Sequence, residues 1–183
     1  MTKQLPAAIA KLIDDAADLY GVPRPIARGI AWVESRGNPM VKPSDKGARG
    51  IFQLMPETAK ALGVTDVTDP AQNVDAGVRY LASLIKRFGE ADGVLSFNWG
   101  PGRVANFRAG KLVQNGKPVT EVPQQLKTYV SNVLERAELE LRQMGGAVAT
   151  DTPLVASASQ SPPSPPPLPS HLRRRSADKK GDS

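Results

Sequence analysis

The sequence predicts a mainly α-helical domain over residues 1–144, followed by a disordered tail over residues 145–183. Three observations support this prediction. Apolar residues in the first region recur every three or four positions, the period of a helix with one buried face. No stretch of useful length alternates apolar and polar residues as a half-buried strand does. From Gly145 onward Ala, Ser, Thr and Pro dominate, and such a composition buries too little apolar surface to offset the entropy of ordering.

Six helices are predicted, and most are bounded by residues that start or stop a helix. In chain order they cover residues 5–20, 25–36, 56–62, 73–88, 93–97 and 123–144. A glycine directly follows each of the first four, as is common at helix C-termini. A proline opens the second, third and sixth, where its missing N–H is tolerated. The intervening residues 38–52 are predicted to form an irregular loop, and residues 111–120 either a small hairpin or a loop.

Composition excludes several classes of catalytic site. The chain contains no cysteine, and its one histidine, His171, lies in the Pro-rich tail. Disulfides, thiolate or histidine metal sites and Ser-His-Asp catalysis are therefore not expected, and neither is a cofactor. The mean hydropathy of −0.32 and the lack of a long apolar run predict no transmembrane segment. Any chemistry must rest on carboxylates, hydroxyls, amides or the backbone.

The net charge of +6 is compatible with an anionic partner or with an ordinary basic surface. Part of this charge belongs to the tail, which has no interleaved aromatic residues, so no specific nucleic-acid partner is expected. At the N-terminus Lys11 and the pair Asp14–Asp15 interrupt the apolar residues, so no secretory signal is predicted. We expect the domain to be a monomer.

Glu34 is the first candidate for catalysis. It continues the apolar stripe formed by Ile26 and Ile30 at i, i+4 spacing on the second predicted helix. A carboxyl group on such a face is costly to desolvate, so its pKa should be raised toward the range that a general acid requires. The spacing is equally compatible with a glutamate that faces solvent where the helix frays near Gly37.

Five motifs in order relate the chain to a known family. They are ES at 34–35, GIFQLMP-x-TA at 50–59, NVDAGVRYL at 73–81, FNWG at 97–100 and VPQQLKTYV at 122–130. Together they resemble the Slt-type lytic transglycosylases, whose catalytic domain has a goose-lysozyme-like helical fold. The resemblance covers roughly residues 18–142.

The resemblance implies a role for each matched residue. Glu34 would be the catalytic acid and base, Gln53 would hydrogen-bond in the substrate cleft and Met55 would line it. Asn98 would hold a substrate N-acetyl or hydroxyl group, and Tyr129 would approach Glu34 and help set its proton affinity. Structural alternatives remain open, because Gln53 could bridge its loop, Asn98 could cap a turn, and Met55 and Tyr129 could be core residues.

Other motif positions carry structural expectations or departures. Ser35 is expected to be structural because no base is available to activate it, and Gly50 and Gly100 are expected at tight backbone positions. The family's usual tyrosine before the asparagine is Phe97 here, so a hydroxyl is missing from the substrate-binding set. The family's small residue after it is Trp99, which could stack on a sugar ring or pack internally.

The number of carboxylates separates two reactions. Glycoside hydrolysis normally uses two carboxyl groups, yet none of the other acids lies in a motif that would place it opposite Glu34, although Asp45 stays open. With one carboxylate, Glu34 would cleave the bond between N-acetylmuramic acid and N-acetylglucosamine in peptidoglycan and form a 1,6-anhydro product. The alternatives are a one-carboxylate muramidase that uses water and a non-catalytic peptidoglycan-binding module.

The expected substrate sets the expected location. Peptidoglycan glycan strands lie in the periplasm or cell wall, so the chain would be a mature form or would be delivered by a phage virion or a secretion machine. The tail over residues 145–183 could then tether it to that machine.

Overall fold

Seven helices and one two-stranded hairpin form residues 4–145, the part of the chain that the computed structural model describes. The elements are α1 (Ala7–Tyr20), α2 (Arg24–Ser35), α3 (Pro56–Ala61), α4 (Pro70–Phe88), α5 (Glu90–Trp99), α6 (Pro101–Arg108), β1 (Val113–Gln114), β2 (Lys117–Pro118) and α7 (Gln124–Gln143). The predicted mainly α-helical class is confirmed. Apart from Gly145, the predicted disordered tail lies outside the described residues, and the domain boundary stays a prediction.

Three helices differ most from the sequence-based prediction. Helix α5 begins directly after Gly89, and α6 occupies a segment that the sequence suggested was only a turn. The glycine and proline at Gly100–Pro101 indicated that turn, yet proline is also favoured in the first turn of a helix. In α4 the helix starts earlier than predicted, because the Asp69 side chain caps it by accepting a 2.8 Å hydrogen bond from the Gln72 N–H.

The segment between α6 and α7 is a hairpin, one of the two forms predicted for it. Val113 pairs with Pro118, and Gln114 pairs with Lys117 in the antiparallel register. The turn residues Asn115 and Gly116 both have positive φ, at 51° and 74°. Asn-Gly is the sequence that most readily adopts this two-residue turn.

The core lies between α1, α2, α4, α5 and α7. Its largest fully buried side chains include Phe52, Ile13, Ile30, Ile51 and Leu81. A second cluster forms around Leu95, Trp99 and Val104, with residues of the hairpin and of the start of α7 packed against it. None of the helices within residues 4–145 is both long and apolar enough to cross a bilayer.

Helices α2 and α7 approach closely at Gly29. A Cβ atom at this position would lie 2.6 Å from the Val133 carbonyl oxygen, so only a hydrogen atom fits there. Val133 and Ala137 of α7 are buried, whereas Leu126, Val130 and Leu141 are only partly buried. This contact aligns the two helices that carry Glu34 and Tyr129.

Charged residues complete the α7 interface. Glu140 is 2% exposed and Arg136 is 6% exposed, and the two side chains form an ion pair within α7. Arg28 of α2 donates to Glu140 at 3.0 Å and to Asp14 of α1 at 2.5 Å. The sequence pattern did not predict this network, because its members lie on three helices far apart in the chain.

Candidate active site

Glu34 lies in the last turn of α2 and is partly buried. Its stripe partners Ile26 and Ile30 are 3% and 0% exposed. Burial raises the pKa of Glu34 from its ordinary value of 4.5 to about 7, and a hydrogen bond from Tyr129 opposes part of that rise. The side chain is therefore divided between its protonated and ionised forms near neutral pH.

Tyr129 lies on α7 and brings its hydroxyl to Glu34. Its Oη donates to the Glu34 Oε1 at 2.8 Å, across 95 residues of sequence. Burial, and then the nearby Glu34 carboxylate, raise the pKa of Tyr129 well above its ordinary value of 10.0. The hydroxyl consequently stays neutral at physiological pH and supplies a hydrogen bond without a charge.

Ser35 joins the end of α2 to the following loop. The side chain is buried, and its Oγ donates to the Ile51 carbonyl at 2.8 Å and accepts from the Gly37 N–H at 3.1 Å. Arg36 and Gly37 then take positive φ values of 58° and 75°, which turn the chain away from the helix. The loop that carries Gln53 is thereby held next to Glu34 in space.

The loop turns sharply at Gly50 and Gln53. Gly50 has φ +77°, and a Cβ there would lie 2.4 Å from the Val67 carbonyl oxygen, so the close approach requires glycine. Gln53 also has positive φ, at 45°, and its Nε2 donates to the Gly50 carbonyl at 3.0 Å. The Gln53 amide therefore braces the turn from a half-buried position.

Asn73 also holds this loop, and the sequence analysis did not assign it a functional position. The side chain is 0% exposed, accepts from the Phe52 N–H at 2.8 Å and donates to the Val67 carbonyl at 2.9 Å. An asparagine among the apolar residues at the start of α4 was the signal that could have identified it. Such a buried amide must be hydrogen-bonded, and loop backbone is its usual partner.

Met55 and Asn98 both reach the surface. Met55 is 40% exposed at the residue before α3, and Asn98 is exposed in the last turn of α5. Neither is a core residue, so both side chains are accessible to a substrate.

Phe97 and Trp99 pack internally. The Phe97 ring lies 5.6 Å from that of Tyr80 and 6.2 Å from that of Phe52, measured between centroids. Trp99 is 8% exposed, with its ring 5.5 Å from Phe107, so it belongs to the second cluster and does not offer an open face for a sugar. Tyr80, which the sequence indicated only as part of the motif at 73–81, is the tyrosine whose ring packs on Phe97.

Five other acids on the loops and helices that follow Glu34, including Asp45, are engaged elsewhere or exposed. Asp75 accepts from Tyr20 at 2.5 Å, Asp69 caps α4, and Asp66 binds the Thr68 hydroxyl at 2.6 Å. Asp45 and Glu57 are exposed. Across residues 4–145, no second carboxylate forms a hydrogen bond network with Glu34, and no cluster of three or more metal-binding side chains is present.

Comparison with known proteins places these features in a family. Residues 11–117 match the family model described as the transglycosylase SLT domain. The chain is 37% identical over 109 residues to a transglycosylase of Enterobacteria phage PRD1, which covers 56% of this chain and 41% of that protein. It is 32% identical over 145 residues to the peptidoglycan transglycosylase gp16 of Escherichia phage T7, covering 74% of this chain and 11% of that protein.

A solved structure agrees with the sequence relatives. The 70 kDa soluble lytic transglycosylase of Escherichia coli is similar with a TM-score of 0.61 and 28% identity, over 74% of this chain and 24% of that one. The chain thus corresponds to less than half the length of each of these relatives. Since the family model covers more than half of the chain and agrees with the fold, the chain belongs to the transglycosylase SLT domain family, as the sequence motifs predicted.

Proposed function

We propose that this chain is a lytic murein transglycosylase. It cleaves the β-1,4 bond between N-acetylmuramic acid and N-acetylglucosamine without water and leaves a 1,6-anhydromuramic acid end. The observation that carries the proposal is Glu34, a partly buried carboxyl group whose pKa lies at about 7 and whose hydrogen-bond partner is a neutral hydroxyl. Membership of the SLT family and the transglycosylases among its relatives support the same reaction.

One carboxyl group serves both halves of this reaction. Protonated Glu34 donates its proton to the glycosidic oxygen as the bond from C1 to that oxygen breaks. The N-acetyl group of the substrate stabilises the positive charge that develops at C1. Ionised Glu34 then accepts the proton of the C6 hydroxyl while the oxygen of that hydroxyl bonds to C1. Glu34 therefore ends protonated again. A pKa near the working pH suits a group that must act as acid and then as base.

The remaining site residues bind and position the glycan. Gln53 and Met55 line the cleft on the loop side, and Asn98 holds an N-acetyl or hydroxyl group from the end of α5. Phe97 supports Asn98 through its packing on Tyr80 and supplies no hydroxyl of its own. Tyr129 tunes the proton affinity of Glu34 through the 2.8 Å hydrogen bond.

The decisive experiment is mass analysis of the products released from purified sacculi by the parent and by Glu34→Gln. Anhydro products are one water lighter than products with a reducing end. We expect anhydro ends from the parent and almost no soluble product from Glu34→Gln. Reducing ends would make the chain a muramidase, and equal clearing by both proteins would show that Glu34 is not the catalyst.

The cell wall is the proposed place of action, and delivery by a phage virion or a secretion machine is the proposed route. Two relatives from phages support that route. The tail over residues 145–183 would act as the tether to the delivering particle. Deleting it should abolish incorporation into that particle while leaving sacculus digestion by the purified protein intact, and unchanged incorporation would contradict the tether.

A further inference from the structure

The segment that follows Glu34 carries a run of positive charge. Residues 36–49, termed the basic loop here, contain four cationic residues and one acid, Asp45. The cationic residues are Arg36, Lys42, Lys46 and Arg49. All four are exposed. The family motifs on either side of the loop, at residues 34–35 and 50–59, do not include these cationic residues.

The four cations differ from most others in the described structure because none forms an ion pair. On α1 and α2, by contrast, Lys11 pairs with Asp15 at 2.7 Å, and Arg28 lies 2.5 Å from Asp14. Arg36 instead lies 5.6 Å from the centre of the Trp32 ring. No carboxylate within residues 4–145 forms an ion pair with these four cations, so that part of the chain leaves their charge uncompensated.

Three contacts hold the loop against the proposed cleft. Arg36 directly follows Ser35, which hydrogen-bonds the Ile51 carbonyl. Lys46 precedes Gly47, at which an added Cβ would lie 3.6 Å from the Pro56 ring, next to Met55. Arg49 and Leu54 exchange backbone hydrogen bonds of 2.9 and 3.1 Å, and Leu54 follows Gln53.

The backbone of the loop is held by its own hydrogen bonds. The Ser44 Oγ accepts from the Ala48 N–H at 3.0 Å, and the Gly47 N–H donates to the Ser44 carbonyl at 2.8 Å. These bonds close a turn with Asp45 and Lys46 at its tip. Because the backbone is already in place, only the side chains have to be ordered when an anion binds.

We propose that the basic loop binds the carboxylates of the peptide stems that peptidoglycan strands carry. This inference rests on the proposed function, because the loop adjoins the proposed glycan cleft. The sugars of the strand are largely uncharged, and the stems supply its free carboxylates. Uncompensated cations beside a cleft raise the local concentration of an anionic substrate. The loop would therefore make glycan with free stem carboxylates a better substrate than glycan whose stem carboxylates are masked.

The test compares two triple variants that remove the same charge. The loop variant is Lys42→Gln, Lys46→Gln and Arg49→Gln, which spares Arg36 because of its contact with Trp32. The control variant is Lys86→Gln, Lys111→Gln and Lys117→Gln, three exposed lysines on α4 and near the hairpin. Thermal unfolding of both is measured first, and Lys46→Glu alone serves if the triple loop variant is unstable.

Product release is measured on intact sacculi and on sacculi whose free carboxylates have been converted to amides with a carbodiimide and ammonia. We expect the loop variant to lose about tenfold in kcat/KM on intact sacculi, mainly through KM, because local charge focusing acts on encounter. On amidated sacculi the difference in kcat/KM between the parent and the loop variant should disappear, and the control should match the parent on both substrates. An equal loss on both substrates, or no loss on intact sacculi, overturns the proposal.

A binding measurement separates this inference from the proposed reaction. Cosedimentation with intact and amidated sacculi is carried out in the Glu34→Gln background, where turnover does not intervene. Weaker binding of the loop variant to intact sacculi alone supports the basic loop even if the parent proves to be a hydrolase or inactive. Equal binding of both proteins to intact sacculi refutes the basic loop even if anhydro products are formed.

Discussion

Glu34 and Glu140 are two carboxyl groups at the same α2–α7 interface, and they face opposite surroundings. Glu140 is 2% exposed and is approached by the guanidinium groups of Arg136 and Arg28. Glu34 is less deeply buried, yet its hydrogen-bond partner is the neutral hydroxyl of Tyr129 at 2.8 Å. One end of the interface compensates a negative charge with two cations, and at the other end no cation of residues 4–145 pairs with the carboxyl group.

The comparison shows that burial alone does not make a carboxyl group suitable for proton transfer. A buried carboxylate with charged partners forms part of the scaffold, because breaking its ion pairs leaves uncompensated charges inside the protein. A carboxyl group that is desolvated without a cation holds its proton to higher pH, and the pKa of Glu34 accordingly rises to about 7. The identity of the facing residue decides between the two outcomes.

The largest expected effect is on activity at the Glu34 end. Glu34→Gln keeps the shape of the side chain but removes the transferable proton, so turnover of sacculi should fall by about a thousandfold. Release of soluble muropeptides measures it. Glu138→Gln, at an exposed glutamate of α7, should retain full activity as the control. A loss of less than about tenfold in Glu34→Gln would show that another group carries the proton.

The next effect is on stability at the Glu140 end. Glu140→Gln leaves Arg28 and Arg136 with less negative charge to pair with in a buried place, and should lower the free energy of unfolding by about 3 kcal/mol. Urea denaturation measures it, with Glu138→Gln again as the control because its pair with Arg142 is long, at 4.0 Å, and exposed. Equal stability of the two variants would mean that the network contributes no more than a surface pair.

A smaller effect concerns the stability of Glu34→Gln as pH changes. The folded pKa of about 7 lies above the ordinary 4.5, so the folded protein binds a proton that the unfolded chain has released between these values. Stability of the parent therefore falls as pH rises from 4.5 to 7 and levels off above, by about 2–3 kcal/mol. Glu34→Gln cannot titrate at this position and lacks this loss. The free energy of unfolding of the variant minus that of the parent should therefore be larger at pH 8 than at pH 4. A pH-independent difference in urea denaturation would contradict the raised pKa.

The smallest expected effect concerns the hydrogen bond between Tyr129 of α7 and Glu34 of α2. The hydrogen bond from Tyr129 stabilises ionised Glu34 and lowers its pKa, so Tyr129→Phe should raise that pKa further. Because the acid step needs protonated Glu34, the pH at which kcat begins to fall should rise by about one unit. The pH profile of product release measures it. Phe107→Leu, in the second cluster, is the control and should leave the pH profile unchanged. If the profile of Tyr129→Phe moved to lower pH instead, Tyr129 would not be stabilising ionised Glu34.

Most of the helices could be predicted from the sequence because their signals are local. The glycines after α1 and α4 and the spacing of apolar residues within each helix act over three or four positions. Helix α6 was missed because Gly100 and Pro101 fit a turn as well as a helix start. Asn73 was missed for a different reason, since the carbonyls that it binds lie on a loop that the sequence could describe only as irregular.

The sequence by itself determined that Glu34 continues an apolar helical stripe and that the chain carries the motifs of the SLT family. Both follow from spacing along a single segment. The family resemblance already implied that Tyr129 approaches Glu34, and the structure adds the 2.8 Å hydrogen bond across 95 residues. Only the tertiary structure decided that Arg28 faces Glu140, because the two lie 112 residues apart in the chain. The pKa of a carboxyl group depends on its solvation and on the charges around it, and packing of α7 against α2 sets both.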